Sequence, residues 1–339
     1  MRRALITGVT GQDGSYLSDY LLNHGYLVYG AIRRSSNINK ERLNYFNLLN
    51  NKNFNLIELD LTDTSSLQNF FRENYVDEVY NLAAQSFVGL SFRQPILTAN
   101  ITGLGPLYLL EAIRQNNKDI RFYQASSSEL YGKVTEPVQT ETTPFHPRSP
   151  YGVAKLFAHW ASINYRESYD MFTTNGILFN HESPLRGDEF VTRKITQSVA
   201  KIKKNIISEF ELGNLNSKRD WGYAGDYVKM MHKMVQYDTP DDFVVSTGIT
   251  TSVRDFTKMA FDVVGIDVKF EGDGIDEVGF DSKTGKKVIS VSKELFRPAE
   301  VDILLGNSEK AKRVLGWKHE TSINQLVEMM VKYDLQLLN

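Results

Sequence analysis

The run Ala4-Leu5-Ile6-Thr7-Gly8-Val9-Thr10-Gly11-Gln12-Asp13-Gly14 decides the fold class. Three consecutive apolar residues read as a short buried strand, and from Ser15 to Asn23 apolar positions recur at three-and-four spacing, as on an amphipathic helix. Between them stand Gly8, Gly11 and Gly14. Glycines let a backbone turn sharply and approach a pyrophosphate, whose charge the N-terminus of the following helix favours. The spacing is one residue longer than the usual dinucleotide fingerprint. A plain strand-to-helix turn is the competing reading, and the position directly after a strand argues against it. On the phosphate-binding reading, Gly8, Thr10, Gly11, Gln12, Asp13 and Gly14 are candidate cofactor contacts.

Downstream the two registers alternate. Leu27 to Ile32, Phe54 to Leu59, Glu78 to Leu82 and Ile120 to Ala125 read as further strands, and Thr64 to Asn74 and Ile101 to Gln115 as helices. Repetition at this interval implies right-handed parallel crossovers, hence an α/β, doubly wound parallel sheet of the Rossmann type. After about Phe179 the pattern loosens. Glu211 to Gly222 is rich in glycine, asparagine and charge, and Glu271 to Lys287 is acidic and glycine-rich enough to predict a surface excursion. A short strand returns at Phe243-Val244-Val245, followed by helices at about 253–264, 308–315 and 323–335. The expectation is a cofactor domain over residues 1–179, with returns near 220–250. A smaller, discontinuous and interleaved α/β substrate domain then spans 180–339.

The 339 residues suit two domains at about 100–200 residues each. Lys plus Arg (39) nearly balances Asp plus Glu (41), without the basic footprint of a nucleic-acid binder. The absence of cysteine excludes disulfides, thiolate metal sites and a cysteine nucleophile, and no metal is implied. No apolar run approaches the roughly 20 residues of a membrane span. No signal-peptide core precedes Gly8, so a soluble cytoplasmic protein is expected.

The second strand ends in Arg33-Arg34-Ser35-Ser36, where an NAD-specific protein usually places an acidic residue on the ribose. Two guanidinium groups and two hydroxyls suit a 2′-phosphate and point to NADP, the alternative being a solvated basic turn. Asp60 and Leu61 follow the third strand, at the expected adenine edge. Leu82, Ala83, Ala84, Gln85 and Ser86 follow the fourth, where small residues permit close approach to a cofactor but are also common packing.

Tyr151 and Lys155 stand four apart at the start of a helix introduced by Pro147-Arg148-Ser149-Pro150, so both point from one face. An ammonium beside a phenol stabilises phenolate and makes the tyrosine a general acid/base for a carbonyl–alcohol pair. Such a pair arises by chance in many helices; behind a glycine loop and five alternating strands it reads as catalytic. Ser126-Ser127-Ser128-Glu129 follows the fifth strand, at the end where open parallel sheets bind ligands. Serine hydroxyls would orient a substrate hydroxyl. A simple reductase needs no carboxylate here, whereas proton abstraction alpha to a ketone does. A polar turn and a carboxylate complementing a helix dipole are the competing readings.

With these residues in place, the chain resembles the extended short-chain dehydrogenase/reductase superfamily and, within it, the GDP-mannose 4,6-dehydratase family, over essentially its whole length. Beyond the segments already quoted, the resemblance rests on 143–152, Gly176 to Pro184, Phe190 to Lys194, Lys218 to Gly222 and Phe296 to Asp302. It implies an internal redox cycle on a GDP-sugar, the first step of GDP-deoxysugar formation. Tyr151 deprotonates the C4 hydroxyl as hydride passes to NADP. On that resemblance Glu129 would remove the C5 hydrogen of the 4-keto sugar and protonate the hydroxyl leaving C6 as water, and hydride would return to C6 with protonation at C5. His181 and Arg186 would contact the cofactor. Ser86, Ser127, Glu129, Asn180, Val191, Lys194, Arg219, Arg297 and Glu300 would line the sugar-nucleotide site. From the residues alone, Arg219 and Asp220 also read as a surface ion pair, and His181 as a core histidine. Ser127 stands where the family usually has threonine, which loses a rotamer-fixing methyl and leaves GDP-manno-heptose as an alternative substrate. A net reductase, an epimerase and a non-catalytic NADP sensor are further alternatives, and the family's habit implies a homo-oligomer, dimer or tetramer.

Overall fold

In the computed structural model, which describes residues 1–295 and 303–338, the chain divides into two compact units. Met1–Phe179, Ala224–Val245 and Gly306–Lys318 form the first; Asn180–Tyr223, Ser246–Leu305 and His319–Asn339 form the second. The strands in chain order are β1 (Arg3–Thr7), β2 (Leu27–Ile32), β3 (Phe54–Glu58), β4 (Glu78–Asn81), β5 (Arg121–Ser127), β6 (Thr173–Leu178), β7 (Asn180–Glu182) and β8 (Phe210–Leu212). They continue as β9 (Lys218–Tyr223), β10 (Asp242–Val245), β11 (Thr250–Ser252), β12 (Val268–Glu271), β13 (Val278–Asp281), β14 (Lys287–Val291) and β15 (Ile303–Leu304).

The first unit is built on a seven-stranded parallel sheet in the order β10-β6-β5-β4-β1-β2-β3. Strand order reverses between β1 and β4, and a crevice opens at such a switch point outside the carboxyl ends of the strands. Ala4, Leu5 and Ile6 are fully buried, as parallel strands covered on both faces require. One core joins Leu5, Val79 and Phe122 of the sheet to Leu67, Phe70, Leu109, Leu110 and Ile113 of the crossover helices.

Strand β6 escapes the sequence pattern because Thr173-Thr174-Asn175-Gly176 has the composition of a turn, yet all six of its residues are buried. Each polar side chain finds a partner. Thr173 Oγ1 donates to Ser162 O at 2.7 Å, Thr174 Oγ1 to Asp241 O at 2.5 Å and Asn175 Nδ2 to Asp242 Oδ1 at 2.7 Å. A second correction concerns apolar length: Pro95–Asn116 forms a helical run of 22 residues, long and apolar enough to cross a membrane on those two measures. Half of its apolar stretch is buried, with Leu109, Leu110 and Ile113 facing the sheet core, which accounts for its apolar character.

In the second unit, helices Val191–Lys203, Val253–Val263 and Ile323–Leu337 enclose a core that includes Ile195, Trp221, Phe256, Phe261 and Met330. One sheet runs β12-β13-β14-β8; another runs β11-β9-β15, with β7 also paired to β9. The predicted surface excursion over 271–287 is instead largely sheet, with β13 an inner strand. Its Gly279 sits where a Cβ would come within 3.1 Å of Ile289. Glu277, beside it, is buried and holds Arg254 through two bonds of 2.9 and 2.7 Å. Likewise 211–222 contains most of β8 and β9. The segment 306–318, expected in the second domain, belongs to the first unit: Trp317 packs on Tyr227 at 5.3 Å and Lys310 pairs with Asp241 at 2.7 Å.

Asp242 closes the outer edge of the first sheet. Its carboxylate accepts from both terminal nitrogens of Arg166 and from the backbone and side-chain nitrogens of Asn175. Burial opposes its ionisation, but the Arg166 guanidinium and Asn175 amide outweigh that and hold the carboxyl below its ordinary value. Asp242→Ala is expected to lower the unfolding free energy by about 2–3 kcal/mol at neutral pH in urea titrations. A depressed carboxyl stabilises above its unfolded value, so the difference from the parent should shrink as pH falls below about 4.

Candidate active site

The glycine loop is shaped by contacts that forbid side chains. Gly8 has φ +69°, and a Cβ there would lie 2.9 Å from the Ala83 backbone. At Gly14 it would lie 2.5 Å from Gly8 O and 2.6 Å from Val9 Cα. The first turn of helix Gln12–Asn23 therefore presses directly against the loop. Gly11, its N-cap, contributes no side-chain acceptor, so the end of the helix that favours an anion is not covered by a capping group.

The β1 and β4 ends are tied together across the switch point. Thr7 Oγ1 donates to Asn81 Oδ1 at 2.7 Å and accepts from Leu82 N and Ala83 N at 3.1 and 3.2 Å. Asn81 Nδ2 donates onward to Gln124 Oε1 of β5 at 2.8 Å. Gln85 is fixed by its backbone N–H to Thr102 Oγ1 and by Thr98 Oγ1 to its Oε1. Apart from Gln85, which follows the fourth strand, none of these supporting polar residues is marked by spacing in the sequence; pairing of adjacent strand ends brings them together. Ala84 is half-buried here and Ser86 exposed.

At the end of β2, Arg33, Arg34, Ser35 and Ser36 are all exposed, and Arg34 Nη1 meets Glu58 Oε1 at 2.9 Å. Asp60 Oδ1 accepts from the backbone and hydroxyl of Thr62, and Leu61 is buried against Gly105. The whole expected cofactor edge of the first unit thus follows β1, β2, β3 and β4 at their carboxyl ends.

The reactive side chains come from β5 and helix Pro150–Tyr169. Ser149 caps that helix through the Gly152 amide at 3.0 Å, with Pro150 in the first turn. Gly152 lets this turn lie on the strand end, since a Cβ would fall 2.9 Å from Glu129 O. Tyr151 and Lys155 are both buried, and Lys155 Nζ lies 5.9 Å from the Tyr151 ring centre while donating to Ala125 O at 2.7 Å. Burial pushes the Lys155 ammonium down to about 8, against an opposing pull from the Asp13 carboxylate. Ser127 Oγ accepts from Glu129 N at 3.2 Å, capping the turn Ser128–Leu130 and leaving its own O–H able to donate elsewhere. Glu129 is half-buried, and among the described residues its carboxylate accepts no hydrogen bond. The four residues Ser127, Glu129, Tyr151 and Lys155 therefore share one strand end.

The remaining expected contacts lie in the second unit. Asn180 and His181 open β7, which pairs with β9. Arg186 pairs with buried Glu182 at 3.1 Å and stacks on Phe190 at 3.5 Å. Val191 is exposed and Lys194 half-buried, its ammonium pushed down by burial. Arg219 lies on β9, donating to Lys218 O, but it does not form a surface ion pair with Asp220. Asp220 is fully buried and accepts instead from Thr247 N, Thr247 Oγ1 and Gly248 N at 2.7–2.9 Å, because alternate residues of a strand face opposite sides. Arg297 and Glu300, with the rest of 296–302, lie outside the described residues.

A parallel sheet in this order, a glycine-moulded helix N-terminus and a tyrosine–lysine pair beside β5 define an extended short-chain dehydrogenase/reductase. Solved structures agree on the fold. UDP-glucose 4-epimerase of Thermotoga maritima with UDP-glucose superposes with a TM-score of 0.82, 24% identity, 99% of this chain and 100% of that one. The dTDP-glucose 4,6-dehydratase of Bacillus anthracis with NAD gives 0.81, 18%, 98% and 96%. Sequence resolves the class further: residues 5–330 match the GDP-mannose 4,6 dehydratase family. The GDP-mannose 4,6-dehydratase of Sinorhizobium fredii (strain HH103) is 51% identical over 340 residues, 99% of this chain and 97% of that protein. The chain belongs to the GDP-mannose 4,6-dehydratase family.

The buried ammonium has a measurable cost. A lysine whose folded value lies below 10.5 destabilises the fold at neutral pH, and that cost disappears as pH rises from about 8 through the ordinary value. Lys155→Met lacks this dependence. Between pH 7 and pH 10, urea titrations should show stability shifting in favour of the parent over the variant by on the order of 3 kcal/mol.

Proposed function

We propose that this chain converts GDP-D-mannose to GDP-4-keto-6-deoxy-D-mannose and water, with NADP as its resident cofactor. The observation that carries the reading is Glu129, a half-buried carboxylate on the same strand end as Ser127, Tyr151 and Lys155 and with no hydrogen-bond donor among the described residues. Family membership and about half-identical, full-length relatives that bear this activity's name support it.

The residues present fit a nicotinamide dinucleotide. Gly8 and Gly14 let the loop fold tightly onto Ala83 and onto itself, and Gly11 leaves the helix N-terminus uncapped, which suits a pyrophosphate there. Gly8, Thr10, Gly11, Gln12, Asp13, Gly14, Leu82, Ala83, Ala84 and Gln85 would hold it, with Asp60 and Leu61 at the adenine and Arg33, Arg34, Ser35 and Ser36 at a 2′-phosphate. Such a cofactor supplies reversible hydride acceptance. Tyr151, assisted by the Lys155 charge, takes the proton of the sugar C4 hydroxyl, while Ser127 donates to the same oxygen and orients it. The 4-keto group then acidifies the C5 hydrogen. Glu129 removes it as general base and returns it to the hydroxyl leaving C6, so one carboxylate serves both halves of the elimination. In the second unit Asn180, Val191, Lys194 and Arg219, with Arg297 and Glu300, would hold the GDP moiety, cationic side chains meeting the diphosphate. His181 and Arg186 would touch the cofactor. Val153, Phe157 and Trp160 form an exposed apolar stripe at helical spacing on Pro150–Tyr169, which supports self-association as a homo-oligomer.

Incubation with GDP-mannose should yield a product lacking one water, without net NADPH consumption; stoichiometric NADPH oxidation would mean a net reductase instead. Glu129→Gln is expected to lower dehydration by at least about 10²-fold and to abolish exchange of the C5 hydrogen with deuterated solvent. Parent-rate dehydration in that variant would remove Glu129 from its role.

A further inference from the structure

The face of helix Pro150–Tyr169 that carries Tyr151 and Lys155 continues one turn further to His159, which the reaction scheme leaves without a role. His159 is 2% exposed, and its Nδ1 lies 2.9 Å from Ser126 Oγ. The Ser126 oxygen also lies 3.5 Å from Asn175 Oδ1. Asn175 is oriented from behind: its Nδ2 donates to Asp242 Oδ1 at 2.7 Å, so its carbonyl oxygen, which can only accept, faces Ser126. Two acceptors therefore face the single Ser126 hydroxyl proton: Asn175 Oδ1 at 3.5 Å and, in one tautomer, His159 Nδ1 at 2.9 Å. In the tether assigned below the proton goes to Asn175, and the serine oxygen accepts from His159 with the imidazole proton on Nδ1. Burial pushes this imidazole down to about 4, so the ring is neutral in the working range.

We infer that His159 is a positioning residue: through Ser126 it holds the carboxyl end of β5 against the catalytic helix, so that Ser127 and Glu129 keep their place relative to Tyr151. The inference rests on the roles proposed above for those three. Two successive residues of the strand are tethered to one helix face, Ala125 by the Lys155 ammonium and Ser126 by the His159 imidazole, and the next residue is Ser127. Because the Glu129 amide donates to Ser127 Oγ, any rotation of the strand end carries both reacting side chains with it.

Ser126→Ala removes one buried hydroxyl and keeps the strand. It is expected to lower kcat about tenfold with KM within about twofold of the parent, the signature of misplaced chemistry rather than lost binding. His159→Leu should do the same, and the double variant should be no worse than either single one. His159→Asn, whose amide nitrogen stands near the Nδ1 position, should recover most of the rate. In ¹⁵N-labelled protein, one slowly exchanging imidazole Nδ1–H proton should be present in the parent and absent from Ser126→Ala. Parent-level kcat in Ser126→Ala, equal losses in the Asn and Leu variants, or an Nε2–H tautomer of His159 would each overturn the inference. Failure of the parent to dehydrate GDP-mannose would overturn the functional reading instead, and the imidazole signal would still decide the tether.

Discussion

A buried ammonium donating to a backbone carbonyl, Lys155 to Ala125, is the contact on which the arrangement of the site depends. It joins the helix that carries the tyrosine–lysine pair to the strand that ends in Ser127 and leads into Glu129. The bond is short because the helix comes close, and the helix comes close because residue 152 has no side chain to strike the Glu129 carbonyl. Burying a charge this way costs free energy that the single hydrogen bond to Ala125 does not fully offset, and burial therefore pushes the ammonium down. Stability is thus exchanged for a cation held beside a phenol, in a place where water screens it little.

The same logic runs along the crest of the sheet. Thr7, Asn81 and Gln124 hand hydrogen bonds from β1 to β4 to β5 across the point where strand order reverses. Apolar residues there would pack, but would leave the freed amides of Leu82 and Ala83 without acceptors; Thr7 Oγ1 supplies one for both. Further out, Asn175, Asp242 and Arg166 form a satisfied polar network beneath β6 and β10. Such networks are favourable only when every member is paired, so they specify strand identity as well as stabilise it.

Much of the fold is legible in the sequence because parallel strands buried on both faces are apolar runs and crossover helices repeat at three-and-four spacing. That rule identifies β1 to β5 and the helices 253–263, 309–315 and 323–337 within a residue or two. It fails at β6, where Thr173, Thr174 and Asn175 satisfy their polar groups through partners distant in sequence. It fails again at β13, where acidic residues flank an inner, half-buried strand because one of them, Glu277, has Arg254 to meet. Composition measures average polarity, and only pairing shows whether polarity is solvated or satisfied internally. Arg219 and Asp220 make the same point: neighbours of opposite charge look like an ion pair until strand alternation sends one of them into the interior.

By itself the sequence determined the order of elements, the glycines that only a close backbone approach can use, and the types of group able to move protons, since these depend on local spacing and side-chain chemistry. Tertiary structure alone decided which of those groups meet. Ser127 and Glu129 are separated from Tyr151 by more than a score of residues, and no local rule brings them together. Their convergence comes from the parallel sheet, which delivers its strands' carboxyl ends to one edge, and from Gly152, Lys155 and Ala125, which set one helix against that edge.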